Sequence, residues 1–176
     1  HYEDFIIGGS SSVIAKDSLG PNLNIYLNNP AFQDGDATYE FPHFYADIYD
    51  ENGINTVGTG IGHDLLMIID NDPKQTYVLN DYFSASNNSY QQGQISYKMP
   101  EQTEGQHSLM FRAWDLYNNS SIASLNFQVV KGMDPQIHQV LTYPNPVKSS
   151  EHLTIQIEYD QPDEVIQTTI YLYDIS

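Results

Sequence analysis

The feature that most constrains this chain is an alternation of apolar and polar residues with a period of two. Leu23, Ile25 and Leu27 alternate with Asn24, Tyr26 and Asn28, and Phe44, Ala46 and Ile48 with His43, Tyr45 and Asp47. The pattern returns in Ile95, Tyr97 and Met99, in Leu109, Phe111 and Ala113, and in Leu125, Phe127 and Val129. An extended strand points successive side chains to opposite faces, so this spacing gives each segment one apolar face and one polar face. An amphipathic helix needs a 3.6-residue period, and no segment sustains one over three turns. The run Leu65 to Ile69 is apolar throughout and predicts a strand buried on both faces. Only Leu79 to Ser86 predicts a short helical turn, because Asn80-Asp81-Tyr82-Phe83 is a weak strand sequence.

Turn residues separate the runs: Asp34-Gly35-Asp36, Glu51-Asn52-Gly53, Asn71-Asp72-Pro73, Gln92-Gly93 and Asn118-Asn119. About seven short strands with a turn roughly every ten residues predict an all-β fold, an immunoglobulin-like β-sandwich. Fourteen tyrosines and seven phenylalanines add to the strand propensity. A boundary is expected near Lys131-Gly132-Met133-Asp134-Pro135. It divides residues 1–131, a sandwich with its core in 17–131, from residues 132–176, a partial second β-sandwich. The second part has strands expected at Val140 to Tyr143, Leu153 to Tyr159 and Thr168 to Asp174, a small sheet that needs support. Both ends of the chain fall within strand-like or irregular patterning, so the sequence reads as a segment of a longer protein.

Charge narrows the function. Six basic residues face 23 acidic ones, a formal net charge of -17. Such a surface repels phosphate backbones and anionic lipid headgroups, so a nucleic-acid partner is not expected. It suits solubility, a cationic partner or a hard cation such as calcium. The absence of cysteine excludes disulfides, thiolate zinc sites and a cysteine nucleophile within this chain. No run approaches the ~20 apolar residues of a transmembrane helix, and no signal peptide is visible.

Few motifs carry chemistry. In Asp50-Glu51-Asn52-Gly53-Ile54-Asn55, oxygen-bearing side chains cluster around a glycine, and Asp50, Asn52 and Asn55 are candidate calcium ligands. The same residues make a tight turn with positive φ at Asn52-Gly53, and the turn is the favoured reading. Asp70-Asn71-Asp72 is read the same way. Gly58-Thr59-Gly60-Ile61-Gly62-His63-Asp64 lacks the lysine and the following helix of a phosphate loop. It is expected to be a bend entering a strand, with His63 structurally satisfied. The six histidines form no metal-ligand pair, and no Gly-x-Ser-x-Gly elbow is present. Tyr26, Tyr45, Tyr49, Tyr82, Tyr90 and Tyr97 could line a sugar-binding face, and Tyr26, Tyr45 and Trp114 are the candidate binding residues, against the commoner role of tyrosines at sheet edges and of Trp114 as a core or rim residue. No organic cofactor is expected.

Several blocks together resemble a known family. Asp17-Ser18-Leu19-Gly20-Pro21 followed by Ile25-Tyr26-Leu27-Asn28, then Asp50 to Thr56, Gly60 to Asp64, Val78 to Phe83, Gly105 to Leu109, and Ala113 to Ser120, resemble the C-terminal sandwich of type IX secretion system sortases, members of the gingipain-like cysteine peptidase family. Tyr143-Pro144-Asn145-Pro146-Val147, Leu153-Thr154-Ile155 and Ile170 to Asp174 resemble a truncated type IX C-terminal sorting domain. The resemblance implies a cell-surface, outer-membrane-associated protein of Bacteroidetes-type bacteria that removes sorting domains from exported cargo and helps anchor that cargo. Its catalytic residues would lie in an upstream peptidase domain, so none is carried over to this chain. The expected role is a non-catalytic module that supports the peptidase domain and docks to outer-membrane partners such as a shuttle barrel. The alternative expectation is a carbohydrate- or calcium-binding β-sandwich of a secreted protein.

Overall fold

A computed structural model describes residues 17–57, 62–86, 89–134, 136–148, 150, 152–159 and 165–171. Eleven strands and two short 3-10 turns occur among them. In chain order the strands are β1 (Asn22–Leu27), β2 (Ala37–Thr38), β3 (His43–Tyr49), β4 (Leu66–Ile69), β5 (Thr76–Val78), β6 (Phe83–Ala85), β7 (Gln92–Lys98), β8 (Gly105–Trp114), β9 (Ser120–Val129), β10 (Ile137–Tyr143) and β11 (Thr154–Tyr159). The helical turn expected after Leu79 is the 3-10 turn Asn80–Tyr82.

The strands form a four-stranded sheet in the order β1-β3-β7-β6 and a five-stranded sheet in the order β2-β9-β8-β4-β5. Pairing is antiparallel except for β2 on β9. The alternation in sequence sets the register. Phe44, Ala46 and Ile48 of β3 and Ile95 of β7 face Met67 and Ile69 of β4, Leu109, Phe111 and Ala113 of β8, and Phe127 and Val129 of β9 in one core. The Phe44 and Phe111 rings meet across it with centroids 5.5 Å apart. This is the all-β sandwich that the patterning predicts.

Three details differ from the sequence reading. The run Leu65 to Ile69 is not buried on both faces: Met67 and Ile69 enter the core, while Leu66 and Ile68 are half-buried on the outer face of the sheet. The run is apolar on both sides because that outer face is itself apolar. β9 begins at Ser120, five residues before its apolar alternation becomes visible, because the long β8–β9 pairing holds Ser120 opposite Trp114. Residues 168–171, expected in a last strand, are irregular and exposed, and the rest of that strand lies outside the described residues.

Beyond Lys131, β10 and β11 form a separate antiparallel pair. Every residue of β10 is exposed. A two-stranded sheet has too little buried apolar surface to stand alone in water.

Candidate functional site

The turn after β3 brings three carboxylates together. One ligand atom from each of Asp17, Asp50 and Asp115 lies within 4.8 Å of the others. Asp50 Oδ1 accepts hydrogen bonds from the backbone amides of Asn52 and Gly53, at 2.8 and 3.0 Å. Gly53 has φ +105°, and an added Cβ there would meet the Tyr90 ring at 2.6 Å. The tight turn expected at Asn52-Gly53 is present, with the positive φ carried by Gly53 and not by Asn52. Asn52 Nδ2 donates to Asp17 Oδ2 at 2.6 Å. Asp115 is fully buried; its Oδ1 accepts from the amides of Tyr117 and Asn119, and its Oδ2 from Asn119 Nδ2.

Asn55, the third residue of the candidate calcium set, is buried, and its amide donates to the Trp114 carbonyl. The structure thus brings Asp17 and Asp115 to Asp50, a grouping that no local motif signals. Burial pushes the Asp50 carboxyl above its ordinary range, the Asn52 and Gly53 amides pull it back, and the charges of Asp115 and Asp17 push it up further. A folded-state pKa above the unfolded value means that the native state holds its proton longer. The Asp50 carboxylate therefore costs stability at neutral pH, and that cost disappears as pH falls through its folded pKa. Asp50→Asn keeps an acceptor for both amides and removes the charge. It is expected to melt a few degrees above the wild type at pH 7, with the difference closing on acidification, measured by thermal unfolding across a pH series.

The candidate aromatics lie in two places. Tyr26 and Tyr45 sit opposite one another on β1 and β3, on the outer face of the four-stranded sheet. Their rings stack with centroids 5.3 Å apart, and His43 stacks on Tyr45 at 4.8 Å. Gln94 Nε2 donates to Tyr26 Oη at 3.2 Å and to Asp47 Oδ1 at 2.7 Å. Tyr26 and Tyr45 border a cleft of about 710 Å3 between this sheet and the β10–β11 pair, which also contributes His138 and Tyr159. Asn29 Nδ2 lies 3.2 Å from His138 Nε2 across the cleft. Because the two tyrosine rings face each other, those faces are not available to a sugar.

Trp114 is on β8, in the other sheet, and is not brought to Tyr26 and Tyr45. It points away from the core. The His63 ring stands edge-on to it at 4.4 Å, and the Arg112 guanidinium carbon lies 5.4 Å from its ring centre. Residues 58–61 of the expected bend lie outside the described residues; His63 precedes β4, and its Nδ1 is buried without a hydrogen-bond partner, so the expected structural satisfaction is incomplete. No helix among the described residues is long and apolar enough to cross a membrane.

The fold defines an all-β sandwich module. Among solved structures, the chain is similar to dimeric latent PorU from Porphyromonas gingivalis, with 34% identity, 87% of this chain and 14% of that chain covered, and a TM-score of 0.67. The fold is therefore PorU-like, and the chain spans 14% of the length of PorU. It also aligns with an endo-beta-1,4-mannanase from Thermotoga petrophila (11% identity, 67% of this chain, 21% of that chain, TM-score 0.42). A third alignment is with CopC from Methylosinus trichosporium OB3b (12% identity, 63% of this chain, 98% of that chain, TM-score 0.37). Both are too distant to inform function. No family model matches the sequence, and no curated protein matches it.

Proposed function

We propose that this chain is a non-catalytic C-terminal β-sandwich module of a cell-surface sortase that processes and anchors type IX secretion cargo. The module supports an upstream peptidase domain of the same polypeptide and docks to outer-membrane partners. The observation that carries this reading is 34% identity to PorU across 87% of the chain. The lack of cysteine agrees with it, since a cysteine nucleophile has to come from elsewhere in the parent. Of the alternative, a carbohydrate- or calcium-binding sandwich, the carbohydrate version is weakened by the mutual stacking of Tyr26 and Tyr45 and by the placement of Trp114 on the opposite sheet.

The test is removal of residues 17–131 from the parent protein in its native host. Cargo is expected to retain its sorting domain and to be lost from the cell surface, read by immunoblot of cell and medium fractions. The isolated chain is expected to cleave no sorting-domain peptide. Cargo processed at the wild-type rate by the shortened parent would contradict the proposal.

A further inference from the structure

Three buried side-chain polar atoms among the described residues have no hydrogen-bond partner: His63 Nδ1, Arg112 Nε and Trp114 Nε1. All three belong to one cluster, held by the edge-on His63–Trp114 contact and by Arg112 lying over the indole. Buried polar groups are nearly always paired, because an unmet donor loses its hydration without compensation. Arg112 Nε and Trp114 Nε1 are donors only, and His63 Nδ1 is donor or acceptor according to its tautomer, so two unmet donors at one place point to an acceptor from outside the described residues. Arg112 Nη2 has a long contact of 3.3 Å to the Gly62 carbonyl, and Arg112 has no carboxylate partner among the described residues.

The surroundings narrow the partner. Arg112 lies on the outer face of the five-stranded sheet, in a cross-strand row running Val78, Leu66, Arg112, Ile122. Val78 and Ile122 are 54% and 59% exposed. The row is therefore apolar and open to solvent except for one cation near its middle. Four strands spaced about 4.8 Å apart make it roughly 14 Å wide, the reach of a short peptide and more than a small acid needs.

We infer that this face docks a protein segment that presents a carboxylate side chain between apolar residues. The carboxylate displaces the Gly62 contact and pairs with Arg112, and Trp114 Nε1–H donates a further hydrogen bond to it. A guanidinium is suited to a carboxylate because its Nε and Nη donors fit the two oxygens in parallel, and an indole N–H can act only as a donor. The apolar row receives the flanking side chains, and exclusion of water strengthens the charged pair. In a chain of net charge -17, a single carboxylate is repelled less than a multiply charged phosphate. This inference does not depend on the sortase reading, since it names a face and a chemistry and not a parent protein.

Trp114 is the sole tryptophan, so its indole N–H resonance reports the site without ambiguity. The probe is a blocked tripeptide with glutamate between two leucines, titrated into the 15N-labelled chain, with the glutamine tripeptide as its uncharged isostere. The glutamate peptide is expected to move the indole resonance saturably downfield and to bind at least about tenfold more tightly than the glutamine peptide. Arg112→Gln is expected to lose that preference. Ile122→Asp, at an exposed position, is expected to weaken binding of the glutamate peptide with the amide spectrum otherwise unchanged, and it serves as the variant of record if Arg112→Gln does not fold. No saturable movement, equal binding of the two peptides, or wild-type affinity in the variants would overturn the inference.

Discussion

Phe111→Ala is expected to destabilise the sandwich by about 3–5 kcal/mol. Phe111 is fully buried at the centre of β8, and its ring meets that of Phe44 across the two sheets. Truncation removes the ring's transfer free energy and leaves a cavity bordered by both sheets, which cannot close without shifting strands paired on either side. Chemical denaturation should show the loss as a lower midpoint with the slope little changed. A loss below about 1 kcal/mol would mean that the sheets do not pack through this contact. Ile122→Ala, on the outer face of the neighbouring strand, is the matched control, and its effect should be within about 0.5 kcal/mol.

Asp115→Ala is expected to cost about 2–4 kcal/mol, although it removes one of three clustered negative charges. Asp115 is fully buried and accepts from the amides of Tyr117 and Asn119 and from Asn119 Nδ2. Alanine leaves those part-buried donors without their acceptor in the β8–β9 connection, and an unmet donor costs about 1–3 kcal/mol when buried and less where water reaches it, as it does at Tyr117. Relief of repulsion with Asp50 and Asp17 offsets only part of that. Asp115→Asn keeps one carbonyl acceptor and should lose less than half as much. If both variants were as stable as the wild type, the side chain would not be holding the connection.

The strands were legible wherever an apolar face recurs over several residues. β3, β7 and β8 each bury alternate residues, and their sequences alternate accordingly. β2, β5 and β6, of two or three residues each, were not legible. So short a segment shows no period, and these strands exist because longer neighbours offer them a ladder. The site was less legible. Asp50 was visible as a turn residue because its partners are the next amides in the chain. Asp17 and Asp115 were not visible as its neighbours, because folding brings them there from distant segments. The same holds for His63, Arg112 and Trp114. Gly62-His63 and Ala113-Trp114 stood out as separate blocks, but only the arrival of the loop before β4 over the outer face of β8 joins them.

The similarity to PorU supports the proposal that this chain is one module of a larger polypeptide. The proposed parent is a cysteine peptidase of the sortase kind. Peptide mapping by mass spectrometry of the intact protein from its native host tests this most directly. The account predicts one polypeptide in which a cysteine- and histidine-bearing peptidase domain precedes residue 1. A native polypeptide that carries this sandwich without such a domain would contradict it.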